Sequence, residues 1–418
     1  MIGDMSKKVK IALVVALVIR LLLGAFSYHS DVVPYYFAGR VLKETPASNF
    51  YDFLPDLPEE HPYLAVYPRN LFNYPPAVYF GLGGLSALTS SMFSNDFLDQ
   101  FLFALPQTLG TSSLFWLLVT LKLPFFFFDF LIFLLLRKMF SDSKKKDLVS
   151  YLWLFNPINL YATYMVGQFD IIPTFFVVWV VYLLGQKSKS NYTFEALLLG
   201  LGASFKIFPL LLLVPLASLA KNWVTKIWIV AIGVGTYVLT LLPFTFSKGF
   251  RSTALVASQT TKSLYATIAI SGGESLILYI VLLIFLYILF ISKPLKQNQT
   301  WRYFLLVLLT FFVFTHFHPQ WFLWVTPLLI LELAESKRIN YLPPLFFLVT
   351  FLGMLFFFDP GLTTGLFSPL FPALYGRSGP LELMGLNLDY NFSRSVLQSI
   401  FAGVAFYYFY NLGKKNLN

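Results

Sequence analysis

Twelve apolar stretches divide this chain, at residues 9–27, 112–138, 148–164, 170–186, 194–206, 207–220, 226–246, 275–292, 301–316, 319–334, 341–358 and 395–411. Nothing else in the sequence limits the fold as much. A helix needs about 20 apolar residues to cross the hydrocarbon of a bilayer. Inside that layer every backbone N–H and C=O must be paired within the chain, which leaves helices or closed barrels. The pattern predicts an all-α polytopic membrane protein, a single bundle over residues 1–418. Several stretches are shorter than a full crossing, so some helices are expected to be short, broken or re-entrant.

Composition supports a membrane solvent. Charged residues make up 12% of the chain, against about 25% in soluble domains. Hydrophobic residues reach 57% and the mean hydropathy is +0.69. Cysteine is absent, which excludes disulfides, thiolate metal sites and a cysteine nucleophile. The net charge of +10 would suggest nucleic acid in a soluble chain. Here the basic residues gather between apolar stretches, as the positive-inside rule requires, and no nucleic-acid partner is expected.

That rule also orients the chain. Lys7, Lys8 and Lys10 precede the first stretch, and no small-residue cleavage site follows it, so it reads as a retained span. Basic clusters recur at Arg137, Lys138, Lys144, Lys145 and Lys146, then at Lys187 and Lys189, Lys221 and Lys226, Lys293, Lys296 and Arg302, Lys337 and Arg338, and Lys414 and Lys415. Placing these in the cytoplasm puts both termini there. Residues 28–111, 247–274 and 359–394 then become extracytoplasmic loops, the first with interfacial helices. The apolar run from Asn73 to Phe93 is expected to lie along the surface. If it crossed, the cluster at Arg137 would be exported. The plasma membrane is the expected location, or the endoplasmic reticulum if the source is eukaryotic.

Polar residues at bilayer depth cost several kcal/mol unless paired or wet, and so mark candidate sites. Asp31 follows the first span at a fixed depth, where it suits general-base chemistry or simply ends an anchor. Lys122 and Asp129 are seven residues apart, about two helical turns, on one face of one span. They are too far apart to pair directly. Lys122 could reach a lipid phosphate, or both could serve an internal network. Lys206 precedes Pro209, which disfavours helix just before it, so two half-helices should meet at Lys206 and line a cavity. Asn156-Pro157 breaks another helix ahead of Gly167-Gln168-Phe169-Asp170. That segment presents an amide and a carboxylate suited to sugar hydroxyls, or forms a plain polar turn. His316 and His318 sit in a turn before Gln320, Trp321 and Trp324. A divalent metal there would need Asp31 as a further ligand and is disfavoured. No cofactor is assigned. No Walker or Rossmann glycine pattern supports nucleotide chemistry.

Taken in order, these motifs resemble the GT-C glycosyltransferases, and look closest to the GPI mannosyltransferases and prokaryotic relatives that use a polyprenyl-phosphate sugar. The shared features are Asp31 with Tyr35 and Tyr36, Tyr74-Pro75-Pro76, Lys122 with Asp129, Asn156-Pro157, Gly167 to Asp170, Phe205 to Pro209, and Pro319 to Trp324. GT-C members often carry an acidic pair in the first loop. Here Ser30 precedes Asp31, which leaves one acid. The resemblance implies an inverting transfer of a sugar, mannose foremost, to a hydroxyl of a glycan, glycolipid or protein, with a possible partner subunit. Asp31 would be the general base. Lys206, Lys122, His316 and His318 would meet the donor phosphate. Tyr35, Tyr74, Gln168, Asp170, Gln320 and Trp321 would orient sugar or acceptor. A lipid-linked sugar flippase, or an assembly subunit with structural polar residues, is the alternative.

Overall fold

The computed structural model describes residues 5–186, 192–255, 261–294, 296–316, 318–336 and 341–415. Lys187, Lys189, Lys337 and Arg338 lie outside these residues, as do the side chains of Lys414 and Lys415. The fold is helical throughout, apart from a two-stranded hairpin of β1 (Thr267–Ala269) and β2 (Ser275–Ile277) with Ile268 opposite Leu276.

Helix α1 (Lys7–Phe26) begins where the Ser6 hydroxyl accepts the Val9 amide at 3.3 Å. Val9, Ala12, Ala16, Arg20 and Gly24 form its buried stripe, and their mostly small side chains admit a close neighbour. The opposite face exposes Ile11, Val14, Val15, Val18 and Leu22, an arrangement that water would not tolerate and lipid does. Among the described residues, three helical segments are long and apolar enough to cross a membrane: Lys7–Phe26, Ser112–Lys138 and Trp223–Phe244. Other apolar helices are shorter, such as Ile171–Gly185 and Leu278–Ser292, in keeping with the expectation of broken spans.

Residues 28–111 fold on themselves. Helix α2 (Val33–Glu44) packs on the helical stretch 76–89, and α3 (Asn95–Phe103) closes the unit. Two helices approach this closely because Gly39 meets Gly83. A Cβ on Gly39 would stand 2.6 Å from the Gly83 carbonyl oxygen. Rings of Phe37, Phe50, Tyr51, Phe72 and Tyr79 fill the interior. Asp52 ties the unit to residues 247–252, its Oδ1 accepting from the Ser247 hydroxyl at 2.9 Å and the Gly249 amide at 2.7 Å.

Helix α4 (Ser112–Lys138) carries Lys122 and Asp129, both buried. After α5 (Ser143–Leu154), Asn156 breaks the chain and caps the Ile158 and Asn159 amides at 3.0 Å each. A π-helical turn over Leu160–Met165 follows. Then come α6 (Ile171–Gly185), α7 (Tyr192–Ala203) and α8 (Trp223–Leu241). Helix α7 stops ahead of Lys206, and a 3-10 turn resumes at Phe208–Leu212. The chain ends with α9 (Leu278–Ser292), α10 (Thr300–Phe314), α11 (Thr326–Glu335), α12 (Leu342–Leu355) and α13 (Tyr390–Lys415). The stretch 319–334 is not one helix. It opens as a 3-10 turn over Pro319–Trp324, because Pro319 cannot donate a backbone N–H.

Asp129 is the brace between the first helices. Its Oδ2 accepts from Arg20 Nε and the Tyr164 hydroxyl, each at 2.6 Å. Its Oδ1 accepts from Trp153 Nε1 at 2.7 Å and Asn159 Nδ2 at 2.9 Å. One carboxylate thus joins α1, α4, α5 and the 157–165 turn, which is how a charge is made tolerable at this depth.

Lys122 takes part in an internal network, one of the two roles the sequence left open. It is fully buried and donates to the carbonyls of Gly24 at 3.0 Å, Ser27 at 2.8 Å and Tyr164 at 2.7 Å. An ammonium has three N–H donors, and all three are committed. Two of these carbonyls, Gly24 and Ser27, are among those left open at the end of α1.

Candidate active site

The polar chemistry converges on the turn Gly167–Asp170, between the π-helical segment and α6. Gly167 adopts φ +77, and a Cβ there would stand 2.7 Å from Val32 and 3.0 Å from the Lys122 side chain. Only glycine fits a left-handed position pressed this closely on its neighbours. The buried lysine therefore supports the turn from behind.

Gln168 and Asp170 leave this turn toward two different partners. Gln168 is buried, and its amide donates to Asp31 Oδ2. The Tyr35 hydroxyl donates to the Gln168 carbonyl oxygen at 3.5 Å. Asp170 is fully buried; its Oδ1 accepts from Lys206 Nζ at 2.7 Å and Trp324 Nε1 at 2.6 Å. Its Oδ2 has no partner among the described residues. The turn thus engages a carboxylate through one residue and an ammonium through a second, two positions on.

Asp31 keeps 27% of its side-chain surface open. Among the described residues, Oδ2 is engaged and no hydrogen bond reaches Oδ1. Burial pushes this carboxyl up, but the His29 imidazole, Gln168 and His318 outweigh it and hold it below the ordinary range. His29 Nδ1 lies 3.2 Å from the Asp31 amide and 3.3 Å from Oδ2. When neutral it accepts the amide N–H; when protonated it faces the carboxylate. Burial lowers the affinity of His29 for its proton, and Asp31 more than restores it.

Lys206 is caged by rings. Its ammonium lies 5.4 Å from the Phe169 centroid, 5.1 Å from Trp321 and 5.2 Å from Trp324, distances at which cation–π attraction operates. It faces a cavity of about 480 Å³ that Tyr74, Trp321, Trp324, Leu210 and Phe311 also line. Tyr74 packs edge-on against Phe169 at 4.8 Å, and so borders both the cavity and the Gln168 turn. Burial keeps the phenols of Tyr35 and Tyr74 well above their ordinary value, so both remain donors.

The two histidine rings lie 6.0 Å apart, and both pack on Phe358. His318 lies 5.3 Å from Trp321 and within the electrostatic reach of Asp31 and Lys206. Burial, then the Lys262 charge, holds its imidazole down to about 4, so at neutral pH it offers an N–H and no charge. His316 is exposed and stacks on Phe358 at 5.6 Å. Gln320 is buried, its Oε1 without a partner among the described residues. No cluster of metal-binding side chains is found among the described residues. Sequence reasoning passed over His29 and left Trp324 out of the site. His29 lies two residues before Asp31 in an extended conformation, which only the three-dimensional fold reveals. Trp324 gave a signal in its motif, yet an indole N–H aimed at Asp170 looks the same in sequence as an interface anchor.

A helical membrane bundle that gathers a part-open carboxylate, a caged ammonium and neutral phenols beside a largely apolar cavity has the parts of a membrane-embedded sugar transferase. The model of glycosyltransferase family 87 matches residues 100–319, just over half of the chain. The chain belongs to that family, and it is a membrane glycosyltransferase of GT-C type. No curated protein matches the chain.

Proposed function

We propose that this glycosyltransferase moves a sugar, mannose foremost, from a polyprenyl-phosphate donor to an acceptor hydroxyl, at the extracytoplasmic face and with inversion. Asp31 acts as the general base. It takes the hydroxyl proton as the acceptor oxygen attacks the anomeric carbon, and the bond from that carbon to the phosphate oxygen breaks. The phosphate leaves without a proton, so one base suffices in a single displacement. Among the described residues Lys206 has one N–H on Asp170, which leaves two to meet the phosphate charge as it develops. His318 adds a neutral N–H, and Tyr35, Tyr74, Gln168, Asp170, Gln320 and Trp321 orient sugar and acceptor.

One observation carries this reading. The turn Gly167–Asp170 grips the Asp31 carboxylate through Gln168 and the Lys206 ammonium through Asp170. A base and a phosphate counter-charge are thereby anchored to one and the same turn. The test is label transfer into membrane extract by the purified protein. It would be given polyprenyl-phosphate mannose, the glucose and arabinose counterparts, and nucleotide sugars. Transfer from a polyprenyl-phosphate donor alone supports the reading. Transfer from nucleotide sugars refutes the donor class. Binding and translocation of the lipid-linked sugar with no new glycosidic bond points to the flippase.

The pH profile provides a further check. A base works only when deprotonated, so transfer falls as pH drops through its pKa. Because Asp31 is held low, the acid limb of kcat/KM should lie below the ordinary aspartate value of about 3.9, leaving activity intact at pH 5. His29→Ala removes the leading influence that lowers it, and burial then dominates. The limb should move to higher pH. An unmoved limb in this variant would break the link between His29 and the base.

A further inference from the structure

A second recess of about 520 Å³ lies between α5, α11 and α12, away from Asp31 and Lys206. Leu148, Leu152, Leu329, Leu333, Leu345 and Leu348 make up much of its wall. Of its polar neighbours, Asn156 caps two amides and the Thr326 hydroxyl donates to the Phe322 carbonyl at 2.9 Å. The recess is lined mostly by apolar side chains. It fits a hydrocarbon chain.

Charge at one end specifies which chain. Helix α5 opens with Ser143-Lys144-Lys145-Lys146. Residues three and four apart share a helix face, so Lys144 and Lys145 stand one turn before Leu148 and two before Tyr151 and Leu152, which line the recess. Neither lysine is ion-paired among the described residues; Lys145 lies 5.8 Å from the Phe140 ring. The acids nearby are already matched. Asp142 caps the Lys144 amide, Asp147 faces Arg137 at 3.5 Å, and Glu332 and Glu335 face Arg302 at 3.5 and 3.1 Å. An excess of positive charge therefore sits at the mouth of an apolar groove in the bundle wall.

We propose that this groove binds an anionic phospholipid of the surrounding bilayer, with an acyl chain along Leu148, Leu329 and Leu345 and the phosphate at Lys144 and Lys145. Each lysine near an anionic headgroup contributes enough that losing two should weaken binding at least about tenfold. The experiment is native mass spectrometry of the full chain with phosphatidylglycerol and phosphatidylcholine of matched acyl chains. Wild type should retain phosphatidylglycerol and shed phosphatidylcholine. Lys144→Glu with Lys145→Glu should lose that preference, and the paired arginine replacements should keep it. Leu345→Trp, at an exposed position on α12, should fill the groove and lower retention of phosphatidylglycerol. Equal retention of the two lipids by wild type, or full retention after charge reversal, overturns the proposal. So does self-association of the chain that excludes lipid and is dispersed by Leu345→Trp, which would assign the groove to a second copy.

Discussion

Asp31→Asn should leave a folded chain that transfers sugar 10²–10⁴-fold more slowly, the order of effect expected for losing a general base. The amide matches the carboxylate in size and can still accept from Gln168 at the oxygen now engaged. What disappears is proton affinity at the open Oδ1, since an amide oxygen takes no proton at working pH. The loss should appear in kcat with donor saturating, and the protein should melt as wild type does. Near-normal turnover in a well-folded variant would remove Asp31 from the mechanism and leave the family assignment standing.

Lys206→Met should be the most damaging single change to both stability and transfer. The Lys206–Asp170 pair is enclosed, with side-chain exposures of 12% and 0%. Removing one partner of a buried pair costs about 3–5 kcal/mol, because the other charge stays buried without compensation. Asp170 would keep only the Trp324 N–H. A large fall in melting temperature is expected, with donor turnover lost. The double variant Lys206→Met, Asp170→Asn separates the two effects. It should regain most of the thermal stability, since no uncompensated charge remains, and it should stay inactive toward the donor. If activity returned along with stability, Lys206 would be a structural residue and the phosphate would have to be met elsewhere.

Much of this architecture was legible because bilayer physics leaves few options. The breaks at Asn156-Pro157 and before Pro209 fall where the sequence put them, since proline's missing donor acts locally. Contacts between distant residues were not legible. Asp129 was evidently in need of a partner, but nothing in one chain pointed to Arg20, 109 residues earlier. The two readings of Lys122 could not be separated for the same reason. A lysine that satisfies three helix-end carbonyls and one that reaches phosphate have identical sequence surroundings, and only the position of α1 decides. The 28–111 segment reads as a loop with interfacial helices, and its own aromatic interior around Phe50 and Tyr79 was not legible, because aromatics scattered among prolines show no period.

The Arg20–Asp129 brace has a consequence for the birth of the protein. Arg20 emerges from the ribosome 109 residues before the carboxylate that will receive it. At about 5–20 residues per second the interval is roughly 5–20 s. Through that time α1 holds an unmatched guanidinium in or beside the hydrocarbon, at a cost of about 2.5–3.5 kcal/mol on insertion scales. Its neighbours Leu17, Val18, Leu21 and Leu22 supply the greasiness that keeps it there. The first helix is thus both anchor and waiting guest, and the arrival of α4 is the moment at which the nascent bundle locks.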